Sequence, residues 1–451
     1  MTGDGGLPHG ARIVQGLLDA ETRPVPPTLR ATADADLGTG GVPRARYTSG
    51  EAHALEVEKV WSRVWQMACR EEQIPDVGDS ILYDIAGFSL IVVRSAPDRI
   101  RAFHNSCLHR GTRLRSQPGR IAELRCPFHG FTWNIDGSFA GMPCPWDFPH
   151  VDPTTFCLPE ARVGSWGGFV FVTMDAEAEP LESYLEILPE HFASWPLEDR
   201  YLTAHVVRVL PCNWKVALEA FIESYHTVAV HPQLLRTSGD TQTEYDVYPS
   251  VRHINRMITP VGIASEHVDH DVPEQDIVDA MFLADGDPDA AVPDGVTARH
   301  VLAERVRHRL DEETGGDHAA LTDCEALDAI EYFVFPNFMP WAGYTTPFTY
   351  RFRPHGADHT TSLMDVMFLE PVPEGRPRPA PAVTRHLADG QSWADAPELG
   401  FFGRILNQDT ATMARVQQGL QSLATPDVTL ARYQENRIRH FHATLGRYLA
   451  S

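Results

Sequence analysis

The chain has 451 residues, 43% of them hydrophobic and 22% charged, with a formal net charge of −23 at pH 7. That length exceeds what one hydrophobic core fills, so two domains are expected. The acidic balance argues against a nucleic-acid protein, which would present a basic face, and no run approaches the eighteen apolar residues of a membrane-spanning helix. The segment Met1–Gly5 has neither the basic nor the apolar region of a signal peptide, which predicts a cytoplasmic protein. Seven irregularly spaced cysteines fit reduced thiols, two of them serving as ligands, rather than a disulfide framework.

Residues 1–45, rich in Gly, Pro, Thr and Ala, read as a flexible arm. Apolar spacing then predicts a helix over Ala52–Trp61. The period changes to that of short strands at Ser80–Tyr83, Phe88–Arg94, Arg99–Phe103, Phe131–Ile135 and Gly168–Thr173. A helix is expected from Trp214 to Ala229, halted at His231-Pro232 because the residue before proline is pushed out of the α region. Helical stretches follow at Ile277–Leu283 and Ala298–Leu310, with Ala284–Asp289 between them as a loop. Strands return at Ala329–Val334, Phe348–Arg353 and Thr361–Leu369. The chain closes with helices over Leu399–Ser422 and Ala431–Tyr448.

Two short runs carry redox chemistry. Cys107-Leu108-His109 and Cys126-Pro127-Phe128-His129 each offer one thiolate and one imidazole, just after predicted strands. Structural zinc sites usually draw like residues from each loop. Mixing the types suits a Rieske [2Fe–2S] centre, in which two cysteines hold one iron and two histidines the other. Around these loops lie Arg101, Arg110, Arg113, Arg115, Arg120 and Arg125, a local cationic patch that could steer an acidic electron donor.

A second ligand set lies downstream. In Asn213–Pro232, Glu219, Glu223 and His226 share one face of an otherwise apolar helix, and His231 enters from its distorted last turn. Two histidines need one carboxylate to complete the facial triad of a non-haem Fe(II) oxygenase. Asp409, on the late helix, is the best candidate.

With these motifs in hand, the chain resembles the catalytic α subunit of the Rieske non-haem iron oxygenases, the aromatic ring-hydroxylating family, from about residue 46 to its end. The resemblance implies an α+β fold: a Rieske β-sandwich domain over residues 46–175, then a helix-grip catalytic domain over 176–451. It implies a [2Fe–2S] cluster on Cys107, His109, Cys126 and His129 and a mononuclear Fe(II) on His226, His231 and Asp409. It maps the family's bridging acid onto Glu223. Many ring dioxygenases carry aspartate there and asparagine where this chain has Glu219, whereas some demethylating and quaternary-amine members carry glutamate.

The implied activity is hydroxylation of a small hydrophobic, aromatic substrate by O₂, with electrons reaching the cluster from NAD(P)H through a ferredoxin or flavin reductase. The implied assembly is an α₃ homotrimer, with or without a β subunit, and neither nucleic acid nor membrane is a partner. The run Phe335–Trp341 is expected to line the substrate pocket. The rival on the same scaffold is a monooxygenase or O/N-demethylase, including the quaternary-amine type. A pure electron carrier would not need a second ligand set, and a zinc-only protein would be colourless.

Overall fold

The computed structural model describes residues 6–281 and 291–451. The predicted loop Ala284–Asp289 and the last residues of the helix expected to reach Leu283 lie outside them. The chain divides into two compact units. One is Ala54–Tyr184 with Arg353–Asp358, and the other is Met1–His53, Leu185–Phe352 and His359–Ser451.

The first unit is built from two sheets. Six strands run in the order Gln66–Arg70, Phe169–Thr173, Glu160–Trp166, Arg99–His104, Phe88–Ala96, Ser80–Ile85, and three more, Glu123–Arg125, Thr132–Asn134 and Phe139–Gly141, form a small sheet. Alternation along the strands turns one face of each inward. Ile91 faces Phe103 across the larger sheet and Leu124 faces Trp133 across the smaller, and all four belong to one core. Burying a side chain such as Phe103 contributes about 1.5–3 kcal/mol. Both Cys-His runs leave this core from strand ends, which fixes their backbones.

The second unit carries an eight-stranded sheet: Glu244–Asp246, Ile254–Thr259, Ala329–Val334, Phe338–Ala342, Phe348–His355, Asp358–Pro371, Arg200–Leu210, Arg385–His386. Val206 and Val366, both fully buried, face each other in its antiparallel centre. The helices Phe402–Ser422 and Asn436–Ala450 pack against this unit. Arg437 of the last helix reaches the sheet, where its guanidinium lies 3.0 Å from the buried Glu331.

Two expectations are corrected here. The arm is not a loose tether over its described part. Its helix His9–Asp19 buries Val14 and Leu18, Gln15 donates to Glu244 at 3.0 Å, and Val42 pairs with Val428. A composition rich in Gly and Pro hid the few apolar side chains that anchor it. The helix expected over Trp214–Ala229 is broken into Trp214–Glu219 and Thr227–Val230. The cause is local, since the Glu223 carboxylate accepts the backbone N–H of His226 at 3.0 Å and takes it out of the helical ladder.

Candidate active site

In the first unit the two Cys-His loops repeat one backbone pattern. Cys107 N–H donates to Thr112 and Gly111 N–H returns to Cys107, both at 2.8 Å. Cys126 N–H donates to Phe131 at 2.8 Å and Gly130 N–H returns to Cys126 at 3.1 Å. Each loop turns on a glycine four residues after its cysteine, Gly111 at φ +75° and Gly130 at φ +76°, where an L side chain is strained. Sequence reasoning passed over these glycines, though their equal spacing from the cysteines was readable.

The loops bring their predicted residues together. Cys107 and Cys126 are buried, and the His109 and His129 rings meet edge-on at 4.7 Å. Backbone N–H groups of Phe128 and His129 outweigh burial and lower the Cys126 thiol, whereas burial raises Cys107. The His109 Nδ1 atom is buried without a hydrogen-bond partner, a cost that metal ligation removes. Two thiols and two imidazoles in this arrangement fit a Rieske cluster. The expected cationic patch is smaller than the sequence suggested, because Arg101 pairs with Glu160, Arg113 with Asp84 and Arg120 with Asp76. Arg110 instead lies over the exposed Phe128 ring, 3.1 Å from His129.

In the second unit His226, His231 and Asp409 present ligand atoms within 4.8 Å of one another. Asn213 caps the helix Trp214–Glu219 by accepting the Lys215 N–H, and the short helix Thr227–Val230 ends at His231, whose φ of −126° lies outside the helical range. Asp409 comes from the middle of the long late helix. Its Oδ1 lies 2.8 Å from His231 Nε2 and 3.5 Å from His226 Nε2.

The outer ring nitrogens are taken. Glu223 Oε1 accepts from His226 Nδ1 at 2.7 Å, and Gln408 Oε1 accepts from His231 Nδ1 at 2.9 Å. Acceptors at Nδ1 fix the tautomer and leave each Nε2 lone pair for a metal. Burial alone would lower the His226 pKa, but Glu223 and Asp409 prevail and hold it at about 10. Asp409, which burial would raise, is kept low by the two histidines. A site that draws positive charge to this degree fits a divalent cation, which replaces the proton on binding.

A cavity of about 250 Å³ adjoins the triad. Glu219, Glu223, His226 and Asp409 meet there among aliphatic side chains such as Val216, Met413 and Ile438. The run Phe335–Trp341 does not line it. Phe338–Ala342 is instead a strand, Phe335 stacks on Tyr448, and Trp341 packs on Phe348 and Tyr350. Besides the two glycines, sequence reasoning missed Gln408, although it sits beside the chosen Asp409.

Family models match the chain over residues 64–152, as a Rieske [2Fe-2S] domain, and over residues 190–451, as the catalytic domain of a ring hydroxylating alpha subunit. The chain belongs to the ring-hydroxylating α-subunit family. The chain is 29% identical over 220 residues to the glycine betaine monooxygenase oxygenase subunit of Pseudomonas aeruginosa, covering 48% of this chain and 51% of that one. It is 30% identical over 197 residues to the carnitine monooxygenase oxygenase subunit of Acinetobacter pittii, 42% of this chain and 52% of that one. The chain thus spans about half the length of the curated relatives it matches. Its fold resembles that of a quaternary ammonium Rieske monooxygenase solved with L-carnitine, at a TM-score of 0.62 and 19% identity, over 91% of this chain and 96% of the other. Both the α+β class and the order of a Rieske domain before a catalytic domain agree with the sequence reading. Among the described residues, no helix is long and apolar enough to cross a membrane.

Proposed function

We propose that this α subunit is the terminal oxygenase of a Rieske system, hydroxylating a small hydrophobic molecule with O₂ and electrons from NAD(P)H. A ferredoxin or flavin reductase would deliver those electrons, and the cytoplasm suits cysteines that form no disulfide among the described residues. The observation that carries this reading is the convergence of His226, His231 and Asp409 in a chain that also presents the two Cys-His loops.

Cys107, His109, Cys126 and His129 would hold the cluster, and His226, His231 and Asp409 the iron. When bound, the cluster supplies single electrons and the iron supplies O₂ activation. Glu223 orients His226 and offers the bridge by which an incoming histidine can reach it. The two Cys-His loops expose Leu108 and Phe128, with Arg110 over the Phe128 ring. The cavity at Glu223 is carboxylate-rich and aliphatic, which supports seating of a second copy's tip and hence an α₃ ring. On the sheet side Phe221 meets Tyr350 at 4.9 Å and Phe352 at 5.3 Å, with Trp341 at 6.1 Å from Tyr350. Phe221, on the same segment as His226, ties that segment to this aromatic cluster of the sheet.

A second reading, oxidative demethylation of an N-alkylated amine, is favoured by Glu219 and Glu223 and by the names of the relatives. One experiment separates them. The protein is purified with iron and sulfide, reduced for EPR, and supplied with a generic ferredoxin, reductase and a substrate panel. Hydroxylated product or a cis-diol supports the first reading, and formaldehyde release supports the second. Absence of both a reduced-cluster signal and of iron at the triad overturns the proposal.

A further inference from the structure

Ser224 stands between Glu223 and His226, and each of its polar groups is engaged. Its N–H donates to the Tyr245 hydroxyl oxygen at 2.9 Å. Its own hydroxyl shares a hydrogen bond with the Thr259 hydroxyl at 2.7 Å, and Thr259 meets the Thr243 hydroxyl in turn at 3.0 Å. Its carbonyl accepts the Thr227 N–H at 3.2 Å, where the short helix Thr227–Val230 begins. Tyr245 and Thr259 lie on the paired strands Glu244–Asp246 and Ile254–Thr259 at one end of the eight-stranded sheet. Ser224, Tyr245 and Thr259 are all buried.

The helical ladder does not supply this rigidity. In a continuous helix the Ser224 N–H would bond the carbonyl of residue 220, but the first helix ends at Glu219. A buried amide left unpaired is costly, and here the sheet takes it instead. The sheet therefore holds the loop at one residue. That residue follows directly on the acid that grips the His226 ring, and its carbonyl starts the helix that leads to His231. Ligand constellations need supports that lock their side chains to within a fraction of an ångström.

We propose that Tyr245, together with Thr259, is a positioning residue for the site of His226, His231 and Asp409. By holding Ser224, the two side chains set where Glu223 meets the His226 ring and where the helix before His231 begins. This deepens, and rests on, the oxygenase reading above.

The test uses the full-length protein with its cluster in place. Tyr245→Phe keeps the ring, which meets Tyr433 edge-on at 5.4 Å, and takes the acceptor away from Ser224. Fe(II) titration should show affinity lowered about ten-fold. Tyr332→Phe is the comparison, since it also deletes a buried hydroxyl of the sheet, one that lies 3.0 Å from His191 Nδ1. It should leave Fe(II) affinity native. In the Co(II)-loaded protein the ring N–H protons of His226 and His231 should give exchangeable, strongly shifted proton NMR lines, and Gln408→Ala identifies the His231 line. Tyr245→Phe should move the His226 line, whereas Tyr332→Phe should move neither. Where Tyr245→Phe does not fold, Thr259→Val removes the partner of the Ser224 hydroxyl and should move the same line. Native affinity or an unmoved His226 line in the variant that folds overturns the proposal, as do equal changes in Tyr332→Phe. A native protein that binds neither metal at the triad overturns the oxygenase reading, and this proposal with it.

Discussion

Glu223 grips His226 at two points, with Oε1 2.7 Å from the ring Nδ1 and Oε2 3.0 Å from the backbone N–H. One carboxylate therefore sets both the tautomer of an imidazole in the candidate metal site and the break in the segment that carries it. Glu223 also lines the cavity beside His226 and Asp409.

Glu223→Ala should retain the cluster, and retain iron when Fe(II) is in excess, yet lose product formation about 10²-fold. Loss of the partner at Nδ1 weakens iron binding about ten-fold, so metal is assayed at saturation. Chemical reduction of the cluster, followed by EPR, should match the native protein while transfer into the second site stalls. Full turnover with both metals in place would remove Glu223 from the electron path.

Gln408→Ala addresses the other imidazole. Gln408 Oε1 accepts from both His231 Nδ1 and Gln233 Nε2, at 2.9 and 2.8 Å. Without it the His231 ring is free to turn. Fe(II) titration should show affinity lowered about 10- to 100-fold, with the visible spectrum of the cluster unchanged. Coupled loss of both metals would contradict the assignment of His231 to a separate site.

The residues of the two candidate sites were legible in the sequence because their chemistry is concentrated: a cysteine two or three residues before a histidine, twice, and acids and histidines crowded onto one apolar segment. Their supports were not. Tyr47 and His442 reach Glu219 from opposite ends of the chain, and no local periodicity announces such a meeting. The break after Glu219 was equally hidden, since helix propensity favours continuation and only the captured His226 N–H opposes it. In the arm, Val14, Leu18 and Leu29 are too few to mark a packed segment until the surface they cover is known.

Gly111→Ala tests whether the paired loops need their left-handed turns. A Cβ there meets nothing closer than Ser106 Oγ at 3.9 Å, so the cost comes from φ of +75° and not from crowding. That strain is about 1–2 kcal/mol. Acid-labile sulfide should be lost faster on dilution, with iron at the His226 site retained. Gly111→Asn, which tolerates this conformation better, should restore part of the sulfide retention. Equal sulfide loss in both variants would point to the side chain rather than the backbone.

His440 gives the second unit a defined acid limb. Its Nδ1 accepts from Asn255 Nδ2 at 3.0 Å and its Nε2–H donates to the Val251 carbonyl at 3.2 Å, so the buried ring is neutral. Burial lowers its pKa from 6.5 to about 4. Between these values the unfolded chain binds more protons than the folded one, so stability falls as pH drops from 6.5 to about 4 and is flat below. The loss from this residue amounts to about 3 kcal/mol at most. His191, also buried and lowered to about 4, acts in the same direction. Urea midpoints measured from pH 7 to pH 4 should therefore fall less steeply for His440→Gln, whose amide can still donate to Val251, than for the native protein. Parallel curves would show that the ring is protonated without cost in the folded state, and that the acid limb arises elsewhere.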